Sequence, residues 1–219
     1  MPHETIGESR PRAHGKEIDP DREVLVHTGG TEAILSAITA FIEPEDEVIV
    51  LEPAFNLHNP LGKVFSVEEL LAIGNICLQH AIVILSDKVY ERLYFTPSYT
   101  RIATLNRTIA RNTFTVSSVE KAFNVTGWTV GYVIGDESPI KHVQLAHIIL
   151  GYTTAGPAQE AAAVGLEEAD RQGFWEANKQ HMESRMRSIC SILHKLGLPV
   201  KLFHVVTHEM GYALPPSRA

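Results

Sequence analysis

The sequence is short of cysteine, of long apolar runs and of clustered positive charge, and each shortage excludes a class of protein. Its 219 residues hold two cysteines, Cys77 and Cys190, which lie far apart and form neither a disulfide framework nor a metal-binding spacing. No apolar run approaches the roughly 20 residues that span a bilayer. Residues 1–16 lack the apolar core of a secretory signal. We therefore expect a soluble intracellular protein, cytoplasmic or mitochondrial.

The charge balance argues against nucleic acid as a partner. The formal net charge is −7 and no block of basic residues occurs, so the electrostatic attraction for a phosphate backbone is missing. With 44% hydrophobic and 21% charged residues, the composition is that of a globular protein. The length fits one large domain or a domain and a half. We expect small-molecule ligands, and neither nucleic acid nor a membrane as partner.

A glycine pair early in the chain predicts an anion-binding turn. Gly29 and Gly30 follow a short apolar strand at 24–26 and precede a helix that we expect to begin near Thr31, where apolar residues take up helical spacing. Free backbone N–H groups at the start of a helix attract anions. The alternative is an ordinary capped helix after a tight turn. The spacing fits neither a Walker loop nor a dinucleotide fingerprint.

Apolar runs further along the chain predict strands, and two of them end at residues that can do chemistry. The predicted strands lie at 47–51, 81–86, 112–116 and 129–134. A helix with a capping-box start is predicted at 66–80. Asp87 ends the second run, and Lys121 lies on the connection after the third, where α/β proteins keep their chemistry. The alternatives are a strand-end cap for Asp87 and a solvated cation for Lys121.

Five segments, taken in chain order, resemble the class I/II (fold type I) pyridoxal-phosphate aminotransferases, and most closely their kynurenine aminotransferase and cysteine-S-conjugate β-lyase group. They are GGT at 29–31, EPAF at 52–55, HNPLGK at 58–63, SDKVY at 86–90 and SVEK at 118–121. The resemblance implies an α/β fold, with a three-layer αβα large domain, a mostly parallel sheet and an incomplete small domain. It assigns 1–20 to a loop-like segment, 21–170 to the large domain, and 171–219 to linking helices and the start of the small domain.

The resemblance also implies pyridoxal 5'-phosphate as the cofactor and assigns its contacts. Lys121 would carry the cofactor as a Schiff base and act as general base toward the amino acid. Asp87 would keep the pyridine nitrogen protonated, so that the ring accepts electrons. The other implied contacts are Gly30 and Thr31 at the phosphate, Phe55 stacked on the ring (or, alternatively, a plain core aromatic), Asn59 and Tyr90 at the phenolic oxygen, and Ser118.

The implied reaction moves an amino group between an L-amino acid, of kynurenine, glutamine or aromatic type, and a 2-oxo acid. Segment 151–160 resembles the family segment that reaches the partner subunit's active site, which implies a homodimer. The alternative is a non-catalytic remnant of an aminotransferase, or a subunit that only binds the cofactor and dimerises.

The chain departs from the family pattern at several points. Several dozen family residues are missing between about 56 and 58, and the family's arginine for the substrate carboxylate has no counterpart. Thr129 stands where the family places a lysine or arginine against the phosphate, which weakens one cofactor contact, and Lys88 replaces the usual glutamate. His204 and His208 lie four residues apart but lack the His-Glu-x-x-His pattern, so we expect no metal site.

Overall fold

The structure is a computed structural model that describes residues 4–6, 14–51, 64–95 and 99–198, together with the backbone alone at 54–55, 59–60 and 211–214. Its main sheet has five strands in the spatial order β1-β6-β5-β4-β7, and a separate hairpin pairs β2 with β3. The strands are β1 Val24–Thr28, β2 Ala54–Phe55, β3 Asn59–Pro60, β4 Val83–Asp87, β5 Thr113–Ser118, β6 Val130–Ile134 and β7 Gly211–Leu214.

The sheet is mixed, which corrects the prediction of a mostly parallel one. Among the described strands β4 and β5 pair in parallel, whereas β6 is antiparallel to both β1 and β5, and β7 is antiparallel to β4. The connection from β5 to β6 explains the reversal. It covers residues 119–129, which is shorter than the dozen or more residues that a parallel crossover needs.

Besides residues 4–6, which are also helical, eight helices of the described residues surround the sheet and connect its strands. They are α1 Pro20–Glu23, α2 Gly29–Phe41, α3 Val67–Gln79, α4 Arg107–Arg111, α5 Val119–Ala122, α6 Glu137–Leu150, α7 Gly156–Arg171 and α8 Phe174–Lys195, with a 3-10 turn at Ile102–Thr104. The predicted capping box of α3 is confirmed: Glu69 N–H donates to Ser66 Oγ at 3.2 Å, and Ser66 N–H donates to the Glu69 carboxylate at 2.9 Å.

Helices cover both faces of the sheet, which confirms the three-layer αβα arrangement. One face packs on α2 and α6 through a cluster that includes Ala37, Val133 and Val143. The other face packs on α7 through Tyr132 and Leu166. Because successive side chains of a strand point to opposite faces, β6 supplies residues to both clusters. The central strands β5 and β6 are therefore buried along their whole length, although β5 carries threonine and serine as well as apolar side chains.

The predicted strand at 47–51 is wrong. This segment makes a single bridge at Ile49 and no extended ladder. The side chains of Ile49 and Val50 are 54% and 37% exposed. A β-branched run forms a strand where a half-buried surface receives its side chains; in this run Val48 packs against the core cluster, whereas Ile49 and Val50 are exposed.

Gly131 on β6 passes so close to the glycine turn that a side chain there has no space. A Cβ on Gly131 would lie 2.3 Å from the Gly29 carbonyl carbon and 2.4 Å from the Gly30 nitrogen. We expect Gly131→Ala to lower the free energy of unfolding by about 1–3 kcal/mol, because backbone atoms must move. Urea denaturation measures this change. Gly156→Ala is the matched control, since nothing lies within 4 Å of a Cβ there; equal losses in the two variants would contradict the prediction.

Candidate active site

A cavity of about 350 Å³ opens at the carboxyl ends of β1, β4 and β5, beside the first turn of α2. Six of the eight predicted site residues line it: Gly30, Thr31, Asp87, Tyr90, Ser118 and Lys121. The other two, Phe55 and Asn59, face each other across the β2–β3 hairpin, but their side chains lie outside the described residues. A larger groove of about 680 Å³ runs along α8, and all of its lining residues belong to that helix. Of these two, the smaller cavity brings together chemically capable side chains from several elements of the described residues.

The glycine turn forms one wall of this cavity. Helix α2 begins at Gly29, two residues before the predicted start, and Gly29 has a φ of 81°, which a residue with a side chain adopts only with strain. At Gly30 a Cβ would lie 3.2 Å from Val89 Cγ1 and 3.7 Å from Ser118 Cβ. The turn therefore lies directly against the segments that carry the two predicted cofactor residues Asp87 and Lys121.

Asp87 lies at the inner end of the cavity and is 5% exposed. Its Oδ1 accepts a hydrogen bond from Val89 N–H at 3.0 Å, and Oδ2 has no hydrogen-bond partner within the described part of the chain. Burial raises the pKa of Asp87 to about 6, against the lowering effects of the Val89 N–H and the neighbouring Lys88. Because burial destabilises the charged form of this carboxyl group, a positively charged partner in the cavity would stabilise that form strongly.

Lys88 and Tyr90 flank this carboxyl group. Lys88 is buried, with its ammonium 5.0 Å from the ring centre of Tyr99, and burial together with the charge of Arg101 lowers the pKa of Lys88 well below its usual value. Tyr90 lines the cavity, where burial and the Asp87 charge raise the pKa of its phenol. The Tyr90 hydroxyl therefore stays protonated as a hydrogen-bond donor near neutral pH.

Lys121 lies on the four-residue helix α5, directly after β5. Ser118 caps this helix by accepting the Glu120 N–H at 3.1 Å. The Lys121 ammonium is half-buried and donates to Thr126 Oγ1 at 3.1 Å. The chain then turns sharply, with positive φ at Asn124. A primary amine is thus fixed at the edge of the cavity by a short helix and a hydroxyl group.

Glu120 also lines the cavity, and our sequence analysis did not single it out. Its Oε1 accepts the Gly127 N–H at 2.9 Å, and its Oε2 accepts the Ser118 hydroxyl at 3.2 Å. A Cβ on Gly29 would lie 3.2 Å from the same Oε2. The signal in the sequence was its place between Ser118 and Lys121, but the direction of its side chain follows only from the structure.

A second polar group lies behind the glycine turn. Ligand atoms of His27, Glu32 and His147 are within 4.8 Å of one another and have the chemistry of a metal site. His147 Nδ1 is 2.8 Å from the Glu32 carboxylate, which also accepts the Thr28 N–H at 2.8 Å. These hydrogen bonds fasten α6 to the first turn of α2. Glu32 and His147 therefore have a structural role, because their hydrogen bonds support the glycine turn.

Comparison with known proteins places this arrangement in a family. Residues 55–202 match the family model described as aminotransferase class I and II. The chain belongs to the class I and II aminotransferases. Members of this family depend on pyridoxal phosphate.

Aminotransferases of several kinds resemble the chain. The Probable kynurenine–oxoglutarate transaminase BNA3 of Saccharomyces cerevisiae is 34% identical, over 80% of this chain and 52% of the relative. Human kynurenine–oxoglutarate transaminase 1 is 28% identical, over 88% and 61%. The crystal structure of yeast Bna3p superposes with a TM-score of 0.87 at 30% identity, over 93% of this chain and 61% of that one. The structure of N-succinyldiaminopimelate aminotransferase from Mycobacterium tuberculosis superposes with a TM-score of 0.81 at 27% identity, over 96% of this chain and 65% of that one.

The chain spans about half the length of the curated relatives it matches. No helix among its described residues is long and apolar enough to cross a bilayer.

Proposed function

We propose that this aminotransferase holds pyridoxal phosphate on Lys121 and moves an amino group between an L-amino acid and a 2-oxo acid. One observation carries the proposal: Asp87 and Lys121, which are 34 positions apart in the sequence, line a single cavity beside the glycine turn. The similarity to kynurenine–oxoglutarate transaminases supports a donor of kynurenine, glutamine or aromatic type.

The residues present fit the ring end of the cofactor. When bound, pyridoxal phosphate supplies an electron sink for the negative charge that develops on the amino acid's Cα. The open Oδ2 of Asp87 would hold a proton on the pyridine nitrogen, because a cation compensates for the burial of that carboxylate. Tyr90 would donate its hydroxyl to the phenolic oxygen. The Lys121 amine, when free, would take the proton from Cα and, as general acid, deliver it to the C4′ carbon of the cofactor.

The phosphate end fits less well. Gly30, Thr31 and Ser118 offer the hydrogen-bond donors of a helix start and a hydroxyl. Thr129, at the rim, brings no positive charge, and Glu120 brings a negative one. The donors for a phosphate are therefore present, but the charge that usually accompanies them is not.

We also propose that two copies of the chain pair next to this cavity. Large apolar side chains are exposed where α6 ends and α7 follows, among them Ile149 at 85% and Tyr152 at 77%. The patch lies two residues from the buried Thr154, whose hydroxyl is 3.4 Å from that of Thr28 on the cavity wall. Such a patch favours a protein interface, and sedimentation velocity measures whether the protein is a dimer.

Adding an amino acid donor to the protein with bound cofactor tests the proposed reaction. We expect L-kynurenine, L-glutamine or L-phenylalanine to reduce the visible absorbance of the Lys121-bound cofactor and to release a 2-oxo acid stoichiometric with it. Chromatography with mass detection quantifies the oxo acid. An absorbance that persists with every donor, with no oxo acid formed, would show cofactor binding without transamination and would contradict the proposal.

A further inference from the structure

We propose that Glu120 is a specificity-determining residue, which occupies the anion-binding turn of this site and weakens its affinity for the phosphorylated cofactor relative to the unphosphorylated one. The inference rests on the proposed function, since it assumes that Lys121 is the attachment point.

The position of the Glu120 carboxylate carries the first step. Its Oε2 would lie 3.2 Å from a Cβ on Gly29, which is the first residue of α2. The carboxylate thus lies against the positive end of a helix of 13 residues, where an anion is most favoured. A carboxylate of this chain therefore lies beside the turn at which the phosphate is proposed to bind.

The hydrogen bonds of Glu120 carry the second step. Its carboxylate accepts the Ser118 hydroxyl at 3.2 Å and the Gly127 N–H at 2.9 Å. Ser118 is a predicted cofactor contact, so the carboxylate takes up a donor that the phosphate would use. A phosphate that binds at this turn therefore has to take the Ser118 hydroxyl from Glu120 or share it with this carboxylate.

Charge carries the third step. Among the described residues that line the cavity, Asp87 and Glu120 are acidic and Lys121 is the sole base. Thr129, whose Cα would be 3.7 Å from a Gly29 Cβ, adds no positive charge on this side. A cofactor phosphate carries a charge of about −1.5 to −2 at neutral pH. Placing it beside Glu120 juxtaposes like charges, whereas the hydroxymethyl group of unphosphorylated pyridoxal avoids that cost.

Equilibrium binding of two probes, pyridoxal phosphate and pyridoxal, to the full chain tests the proposal. Glu120→Gln keeps an oxygen that can accept the Gly127 N–H but removes the charge. We expect this variant to lower the Kd for pyridoxal phosphate by about tenfold or more, and the Kd for pyridoxal by less than about twofold. Glu47→Gln, a change at an exposed carboxylate outside the cavity, should alter neither constant. Borohydride reduction and peptide mapping confirm that each probe is bound at Lys121.

Two outcomes would overturn the proposal, and only the second of them would also overturn the proposed function. If both probes are bound at Lys121 in all three proteins and the ratio of their Kd values does not change in Glu120→Gln, Glu120 does not set the selectivity and the proposed function stands. If neither probe is bound at Lys121 in any of the proteins, the proposed function fails together with this inference.

Discussion

Replacing Lys121 by arginine is expected to abolish the borohydride-stable adduct with pyridoxal phosphate and to lower transamination by at least about 10³-fold. A guanidinium group keeps the positive charge but is not a nucleophile toward an aldehyde, and it does not release a proton near neutral pH. Both steps assigned to the Lys121 amine would therefore be lost. Absorbance, mass mapping of the reduced protein and oxo acid release measure the three consequences.

The same change should leave the fold intact. Lys121 is half-buried, and the described hydrogen bond of its side chain is the one to Thr126. We expect a change of less than about 0.5 kcal/mol in the free energy of unfolding, the range of surface substitutions. Lys141→Arg, at an exposed lysine that pairs with Glu137, is the control and should keep full adduct formation. An adduct of undiminished yield in Lys121→Arg would show that another lysine carries the cofactor.

Acid is expected to destabilise the protein through two buried histidines. His14 and His27 are 3% and 0% exposed, and burial lowers the pKa of each from 6.5 to about 4. His14 Nε2 lies 3.0 Å from the Thr115 hydroxyl, and His27 Nε2 has no partner among the described atoms. The carboxylates of Glu32, near His27, and of Asp136, near His14, raise these pKa values, but the effect of burial is larger.

The direction of the pH effect follows from these pKa values. Between about pH 6.5 and pH 4 the unfolded chain binds protons at both histidines and the folded chain does not, so stability is lost as the pH falls through this window. Each histidine lowers the free energy of unfolding by about 2 kcal/mol when the pH falls from about 7.5 to 5. Asp87 acts in the opposite sense, because its pKa is raised to about 6. Its protonation in the folded chain adds about 1.4 kcal/mol to the free energy of unfolding over the same pH range. A net loss of about 2.5 kcal/mol remains.

Urea unfolding at these two pH values measures the loss. In the double variant His14→Gln and His27→Asn, an amide group stands near each ring nitrogen that makes a hydrogen bond. These amides cannot be protonated. We expect it to remove most of the pH dependence, and to reverse its sign where Asp87 dominates. His181→Gln, on the exposed surface of α8, should behave as the unchanged protein. A double variant that loses stability in acid as steeply as the parent would refute the assignment to these histidines.

Local signals in the sequence predicted the parts of the fold that bear the site. The strand-glycine-helix pattern at Gly29 and the runs that end near Asp87 and Lys121 each depend on neighbouring residues alone, and the structure contains all three. Their convergence in one cavity followed from the rule that the ends of parallel strands meet at one edge. The direction of β6 was missed because the expectation of a mostly parallel sheet followed the family resemblance, although the short interval between the runs at 112–116 and 129–134 leaves little room for a parallel crossover.

Long-range packing and side-chain direction were beyond the sequence pattern. Residues 47–51 have strand composition, but Ile49 and Val50 are exposed while Val48 packs against the core cluster. The carboxylate of Glu120 could have faced solvent or the cavity, and only the positions of Gly29, Ser118 and Gly127 decide between these. The contacts assigned to Phe55 and Asn59 stay predictions, since their side chains lie outside the described residues.

The central claim is that Lys121 is the attachment point of a pyridoxal cofactor, and one measurement tests it most directly. The purified protein is mixed with pyridoxal phosphate, reduced with borohydride, digested and mapped by mass spectrometry. We predict a single dominant modified peptide that contains Lys121, with its yield reduced by competing pyridoxal. Modification scattered over exposed lysines such as Lys141, or absent altogether, would contradict the claim and leave the cavity without its proposed cofactor.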